Sequence, residues 1–440
     1  LAEFPMAAFY STRGSGPAGL EAVLQTGTAP DGGLYVPERL AIFERGALAE
    51  STTPAELAQR LLAPYFEGSS LAGALPEICA DAFACPLPLV DLSPAGNGAR
   101  LQLLELFHGP TAAFKDYGAR FLSACLERIL VDEPASSQPL TILVATSGDT
   151  GAAVASAFSG RDKIRVVVLF PKGRISPRQE HHLGCWDENV QALAVHGAFD
   201  DCQRLVKQAF ADTRLRKRVR LGSANSINLG RLLPQSAYHA WAALKAGEGS
   251  HFVVPTGNMG NGVACLWARE MGAGIGRILL TTNANRTIGD YLSSGEYRGR
   301  ESIGTLANAM DVGDPSNMER LRHHFEGDVE RIRAAVSAAS VDDERIRRRI
   351  RREHEDSGAV LCPHTAAGVD ACRDWLADAG APDGDWVIAA TAHPAKFETV
   401  VEPLIGTTVA PPPQLEELLS RRSSHEEIPA ELAALTPFLG

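Results

Sequence analysis

From about residue 100 the chain alternates strand-like and helix-like segments, and this rhythm constrains its fold more than any other feature. Leu101 to Phe107, Leu140 to Ala145, Ile164 to Phe170, Phe252 to Pro255, Arg277 to Thr282 and Trp386 to Ala390 read as strands, and Asn189 to Val195 as a more alternating one. Ile164 to Phe170 is almost entirely Val, Ile, Leu and Phe, as expected of a strand buried on both faces. Between the strands, Ala119 to Leu130, Ala152 to Phe158, Asp200 to Phe210 and Gly262 to Met271 carry helical patterning. The alternation predicts an α/β protein whose parallel sheets are flanked by helices. Residues 1 to 95 break the rhythm with short helical patches and Pro/Gly turns, and read as a small N-terminal domain. Residues 404 to 440 are rich in Pro and Ala and read as a peripheral C-terminal segment.

With 440 residues the chain is long enough for several packed domains. Its formal net charge of -11 argues against nucleic acid as a partner, which requires clustered Lys and Arg. The basic run Arg345 to Arg352 reads as a solvated helix face. Eight dispersed cysteines show no metal-site or redox spacing, so free thiols in a reducing cytosol are expected, and no metal. No run of about 18 apolar residues predicts a membrane span. Leu1 to Met6 lack the basic start and apolar core of a secretion signal, and a cytoplasmic location is expected.

Ligands of open α/β sheets bind at the carboxyl ends of strands, where four motifs fall. In His108 to Asp116, Lys115 opens a helix whose positive dipole end disfavours an ammonium. A depressed amine pKa suits a nucleophile toward a carbonyl, and Phe114 can wall a flat ring; an exposed loop lysine is the alternative. In Ala145 to Gly151, the hydroxyls of Thr146, Ser147 and Thr150 and the Asp149 carboxylate exceed what a helix cap needs, although a cap is the plainer reading. In Pro255 to Gly262, Gly257, Asn258, Met259, Gly260 and Asn261 suit a backbone nest for a phosphate. This motif lacks both the dinucleotide spacing and the nucleotide P-loop ending; a turn without ligand is its alternative. After the strand Trp386 to Ala390, Thr391 can meet a ring nitrogen, and His393 before Pro394 reads as structural. The run Ser223 to Arg231 adds Asn225, Ser226 and Arg231, with Arg231 either a phosphate clamp or a surface ion pair.

Together these motifs, with Ser11-Thr12-Arg13-Gly14 and Asn308 to Asp311, resemble the longer bacterial and fungal type of threonine synthase over nearly the whole chain. The resemblance implies the pyridoxal-phosphate type II, tryptophan synthase β-like fold, with residues 96 to 403 as two catalytic subdomains and pyridoxal 5'-phosphate in the cleft between them. It implies Lys115 as the Schiff-base lysine and proton carrier, with Gly257 to Asn261 around the cofactor phosphate and Thr391 at the pyridine nitrogen. Thr146, Ser147 and Thr150 would hold the substrate carboxylate, and Asn225, Ser226 and Arg231 its phosphate. Asp149 stands where many relatives of the fold have Asn beside the pyridoxal hydroxyl. The implied reaction converts O-phospho-L-homoserine and water to L-threonine and phosphate, in a monomer or homodimer. A related phospho-lyase or hydroxy-amino-acid dehydratase, and a cofactor-free ligand-binding scaffold, are the competing expectations.

Overall fold

The computed structural model describes residues 7–440 except 45, 95–97, 132, 135, 136, 187, 188 and 378–381. The reading of Leu1 to Met6 and the domain boundary drawn at residues 95 and 96 lie outside the described residues.

Thirteen strands are described: β1 (Phe9–Ser11), β2 (Tyr35–Pro37), β3 (Leu89–Asp91), β4 (Leu101–Glu105), β5 (Leu140–Ala145), β6 (Ile164–Pro171), β7 (Val190–His196), β8 (Arg220–Gly222), β9 (His251–Pro255), β10 (Ile278–Thr282), β11 (Val336–Ser340), β12 (Trp386–Ala390) and β13 (Glu426–Pro429). β1 and β2 form an antiparallel pair. A six-stranded sheet has the order β11-β10-β9-β12-β4-β3, and a five-stranded sheet the order β13-β7-β6-β5-β8. Every pairing in the two larger sheets is parallel except β3 with β4. The α/β expectation therefore holds. β5, β9 and β12 are buried along their whole length, which is why they read as short apolar runs bounded by turn residues.

Among the described residues, those from 7 to 83 share their apolar core with the rest of the chain. Leu20, Val23, Leu57, Leu61, Phe66 and Ile78 belong to the same apolar cluster as Phe121, Leu122 and Leu126 of the helix Lys115–Val131. Phe66 meets Phe121 edge-on at 5.8 Å, and Phe83 lies 5.7 Å from Tyr117. The N-terminal region thus packs on the back of the helix that Lys115 begins.

The segment 404–440 is more than a tail. β13 extends the five-stranded sheet beside β7. Leu435 and Leu439 are buried under that sheet, and Thr141 Oγ1 donates to the Leu439 carbonyl at 3.1 Å. The run Arg345 to Arg352 also departs from a plain solvated face. On the helix Asp343–Ser357, Arg347, Arg348, Arg351 and Arg352 are exposed. Arg345 and Arg349 instead reach the buried Asp370 at 2.6 and 3.1 Å, and Arg349 and Arg373 bind the buried Glu353 at 3.1 and 2.6 Å. Buried carboxylates require such partners, so two of the six arginines in the run are internal structure.

Candidate active site

Strand order alone brings three of the four motifs together. β9, β12 and β4 are neighbours, so the loops leaving their carboxyl ends sit side by side with Gly257, Thr391 and Lys115. The Phe114 N–H donates to the Thr391 carbonyl at 2.9 Å, and Ala113 bridges Ala392, which stitches two of these loops to each other. The end of β5 faces them from the second sheet and carries Thr146 to Gly148. Phe114, Lys115, Thr146, Ser147, Asp149, Thr150, Asn225, Ser226, Arg231, Gly257, Asn258, Gly260, Asn261 and Thr391 all line one cavity in the cleft. Of the residues expected from sequence, only Met259 does not line it. Met259 is buried in the core beneath, and its left-handed backbone (φ 64°) turns the chain into the helix Gly260–Glu270.

Lys115 is the first residue of the helix Lys115–Val131. Its loop is held by Asp116, whose carboxylate accepts from Thr111 N–H at 2.9 Å and from Thr111 Oγ1 at 2.6 Å. The Lys115 Nζ lies 5.4 Å from the centroid of the Phe114 ring. Burial lowers the Lys115 pKa to about 8; Asp149 opposes that shift, and Lys396 and Arg231 add to it. An amine so tuned has roughly a tenth of its population as free base at pH 7, hundreds of times the share of an ordinary lysine, and attack on a carbonyl requires that form.

The loop after β9 is pressed against a second turn. A Cβ on Gly257 would lie 2.7 Å from Met310 Cα and 3.0 Å from the Ala309 carbonyl, so only glycine fits. Asn258 Nδ2 donates to Ser226 Oγ at 2.6 Å, tying this loop to the run Ser223 to Arg231. Asn317 Nδ2 donates to the carbonyls of Asn258 and Ser226 at 2.9 and 3.2 Å. Asn261 Oδ1 accepts from Tyr238 and His239 at 2.6 and 2.8 Å, while its buried Nδ2 has no partner among the described residues. The first-turn N–H groups of Gly260–Glu270 and this unpaired amide suit an anion in the cavity.

Arg231 is no surface ion pair. It is 2% exposed, its guanidinium donates to the carbonyls of Ala224 and Lys115, and its buried Nε has no partner among the described residues. Burial lowers its pKa to about 10, with Asp116 opposing, so it remains a cation at neutral pH and lacks a carboxylate of its own. Asn225 donates to the Ala145 carbonyl at 3.0 Å and leaves its buried Oδ1 free. Unpaired buried polar atoms are costly, and their convergence on one cavity points to a polar ligand there. On the opposite wall, Thr146 Oγ1 accepts from Gly148 and Gly151 N–H at 2.9 and 2.8 Å, so it shapes the loop as well as lining the cavity.

Four further residues were invisible as site elements in the sequence. Lys396, fully buried, pairs with Asp149 at 2.7 Å. Burial alone would raise the Asp149 pKa, but Lys396 and then Lys115 outweigh it and hold this carboxyl well below the usual carboxylate range. Gln179 Nε2 donates to the same carboxylate at 3.2 Å, and its Oε1 accepts from Asn308 at 3.1 Å. His364 lines the cavity, and its Nε2 accepts from Ala309 N–H at 3.0 Å; burial lowers its pKa to about 4, so the ring is neutral. Arg320 is buried behind Asn317 and is described below. A lysine inside an apolar motif was the one signal that could have marked Lys396. His393 accepts from Ala395 N–H at 3.2 Å and caps its turn, the structural role expected of it.

The motif Ser11-Thr12-Arg13 reaches the site indirectly. Thr12 Oγ1 and Arg13 Nε donate to Glu319 Oε1 at 2.5 and 2.9 Å, and the next residue, Arg320, donates to Tyr35 O, Asn317 Oδ1 and Ile227 O at 2.9, 2.6 and 2.7 Å. The N-terminal region therefore fastens the loops that carry Ser226 and Asn258.

Three family models match the chain: a pyridoxal-phosphate dependent enzyme model over residues 83–392, a threonine synthase N terminus over 8–83 and a threonine synthase C-terminal model over 365–439. The threonine synthase of Escherichia coli (strain K12) is 40% identical over 358 residues, which is 80% of each chain. The crystal structure of threonine synthase from Escherichia coli superposes with a TM-score of 0.88 at 34% identity over 98% of both chains. The structure of threonine synthase with pyridoxal phosphate bound, from Brucella melitensis, superposes with a TM-score of 0.89 at 32% identity, again over 98% of both.

Proposed function

Because the chain belongs to the threonine synthase family, we propose a division of labour among its own residues for that family's reaction. The protein is a pyridoxal-phosphate-dependent lyase of the type II fold, and it converts O-phospho-L-homoserine and water to L-threonine and phosphate. Bound pyridoxal phosphate supplies an electron sink for charge developing on the substrate carbons.

Lys115 would hold the cofactor through its Nζ, and the same nitrogen would take the proton from the substrate α carbon and serve the β and γ carbons. Its half-buried amine, lowered to about pH 8, supports this role. Phe114 walls the ring, and Thr391 faces the ring nitrogen with a neutral hydroxyl. Gly257, Asn258, Met259, Gly260 and Asn261 hold the cofactor phosphate, mainly through backbone; the glycine-only contact at Gly257 and the unpaired Asn261 Nδ2 support this. Thr146, Ser147 and Thr150 orient the substrate carboxylate. Asn225, Ser226 and Arg231 bind the substrate phosphate and stabilise its charge as it leaves. Asp149 would stand near the ring hydroxyl.

The observation that carries this assignment is the single cavity uniting Lys115, the nest after β9 and the unpaired cation Arg231. A dehydratase of unphosphorylated amino acids has no use for a second buried phosphate cation. One assay tests it: O-phospho-L-homoserine should yield phosphate and threonine in equal amounts, and an oxo acid in place of threonine would overturn the reading. We further propose that the protein works in the cytoplasm as a monomer or homodimer, without nucleic-acid or membrane partners. Among the described residues no helix is long and apolar enough to cross a membrane. The division into 1–95, 96–403 and 404–440 is part of the same proposal; the family models at 8–83 and 83–392 meet at residue 83, ahead of its first boundary.

A further inference from the structure

The Asp149–Lys396 pair spans the cleft next to Lys115, and Lys396 has no part in the chemistry assigned above. Asp149 opens the helix Asp149–Phe158 that follows β5, whereas Lys396 lies in the short turn Pro394–Phe397 that follows β12. Lys396 Nζ is 2.7 Å from Asp149 Oδ1 and donates to the Thr111 carbonyl at 2.7 Å; its exposure is 0%. Gln179 Nε2 donates to the same carboxylate oxygen at 3.2 Å. Burying an ammonium this deeply is unfavourable unless an opposite charge meets it, so the two residues are chemically one unit.

We propose that Lys396 is a positioning residue that renders Asp149 electrically neutral toward Lys115. The inference rests on Lys115 and Asp149 facing the cofactor as proposed above. At Lys115 the two charges act in opposite directions: Asp149 holds a proton on the nitrogen and Lys396 repels it. Arg231 and the neutral His364 also face Lys115, while Asp116 and His182 face Lys396; none of these forms an ion pair with either partner. A lone carboxylate at position 149 would keep the nitrogen protonated. A lone ammonium at 396 would strip the proton away. Only the pair leaves the nitrogen free to change protonation state near neutrality.

The test is a pH titration of the visible absorption band of bound cofactor in the holoenzyme, for wild type, Lys396→Met, Asp149→Asn and the double variant. The midpoint should rise by on the order of one pH unit in Lys396→Met and fall by a similar amount in Asp149→Asn. It should return to the wild-type value in the double variant, where amide and thioether replace the two charges. Shifts of the same sign, no shift, or a double variant displaced as far as either single variant would overturn the inference. Should one single variant not fold, the other against the double variant gives the same comparison. A double variant that does not fold also overturns it, because a neutral pair of this shape must be tolerated. Borohydride reduction and peptide mapping of the wild-type holoenzyme separates the two readings. Label on a residue other than Lys115 refutes the site assignment, whereas label on Lys115 without opposite shifts refutes only the neutral pair.

Discussion

Arg320 donates to Asn317 Oδ1 at 2.6 Å, and Asn317 in turn donates to the Asn258 carbonyl at 2.9 Å. A buried cation that also holds Tyr35 of the N-terminal region is thereby two hydrogen bonds away from the loop proposed to hold the cofactor phosphate. Because Arg320 also donates to Tyr35 and Ile227, Arg320→Met leaves three buried oxygens unpaired, each costing about 1–3 kcal/mol. The variant should fold less stably and retain cofactor about ten-fold more weakly or worse. Equilibrium cofactor binding against thermal melting checks this; unchanged cofactor affinity would remove the N-terminal region from the design of the site.

Lys115→Ala should lose the visible cofactor band that borohydride fixes in the wild type, and turnover with it. Absorption spectroscopy and a phosphate-release assay check both, and an alanine variant with full activity would end the assignment.

Gly257→Ala places a methyl group 2.7 Å from Met310 Cα, in backbone that cannot swing aside. Moving the loop by even a fraction of an ångström should lower kcat/KM roughly 100-fold while the far-UV spectrum stays native. A fully active alanine variant would show that the turn at Met310 yields.

Removing the unpaired cation should be felt by phosphate. Arg231→Met is expected to lower kcat/KM about 100- to 1,000-fold and to weaken inhibition by inorganic phosphate. Arg231→Lys should recover only part of this loss, because it keeps the charge but not the planar fork. Equal phosphate inhibition in all three proteins would contradict the assignment.

The amine of Lys115 predicts a pH dependence with a definite sign. Burial disfavours its ammonium, so the reactive free base predominates above about pH 8 instead of above the ordinary lysine value. Protein stripped of cofactor should therefore take it up faster as pH rises and level off above about 8. A stopped-flow pH series measures this, and a rate still climbing past pH 10 would mean that Lys115 is solvated.

What the sequence revealed depended on how local the physics is. Leu140–Ala145 and Trp386–Ala390 appear in the structure with the bounds expected, because buried parallel strands are apolar runs cut off by polar turns. β3, β8, β11 and β13 escaped notice. They are three to five residues long, and four of the five residues in Val336–Ser340 are Ser or Ala, so no periodicity sets them apart. The cavity residues were legible because loops at strand ends carry unusual densities of Gly, Asn and hydroxyl. Lys396 and Arg320 were not, since a buried cation is recognised by its partner, and Asp149 and Tyr35 lie far away along the chain. The Arg345–Arg352 run misled for the same reason, as Asp370 and Glu353 decide which arginines point inward.

The position of β12 has a consequence for how the protein is made. β9 and β4, which flank it, leave the ribosome long before Trp386–Ala390 does, and neither can pair with the other in the finished sheet. Until Trp386–Ala390 has been made, the larger sheet has a vacant slot at its centre, lined by exposed strand edges of the kind that invite misassembly. A message cut short anywhere before that strand should give no weakened enzyme, only material for the proteases.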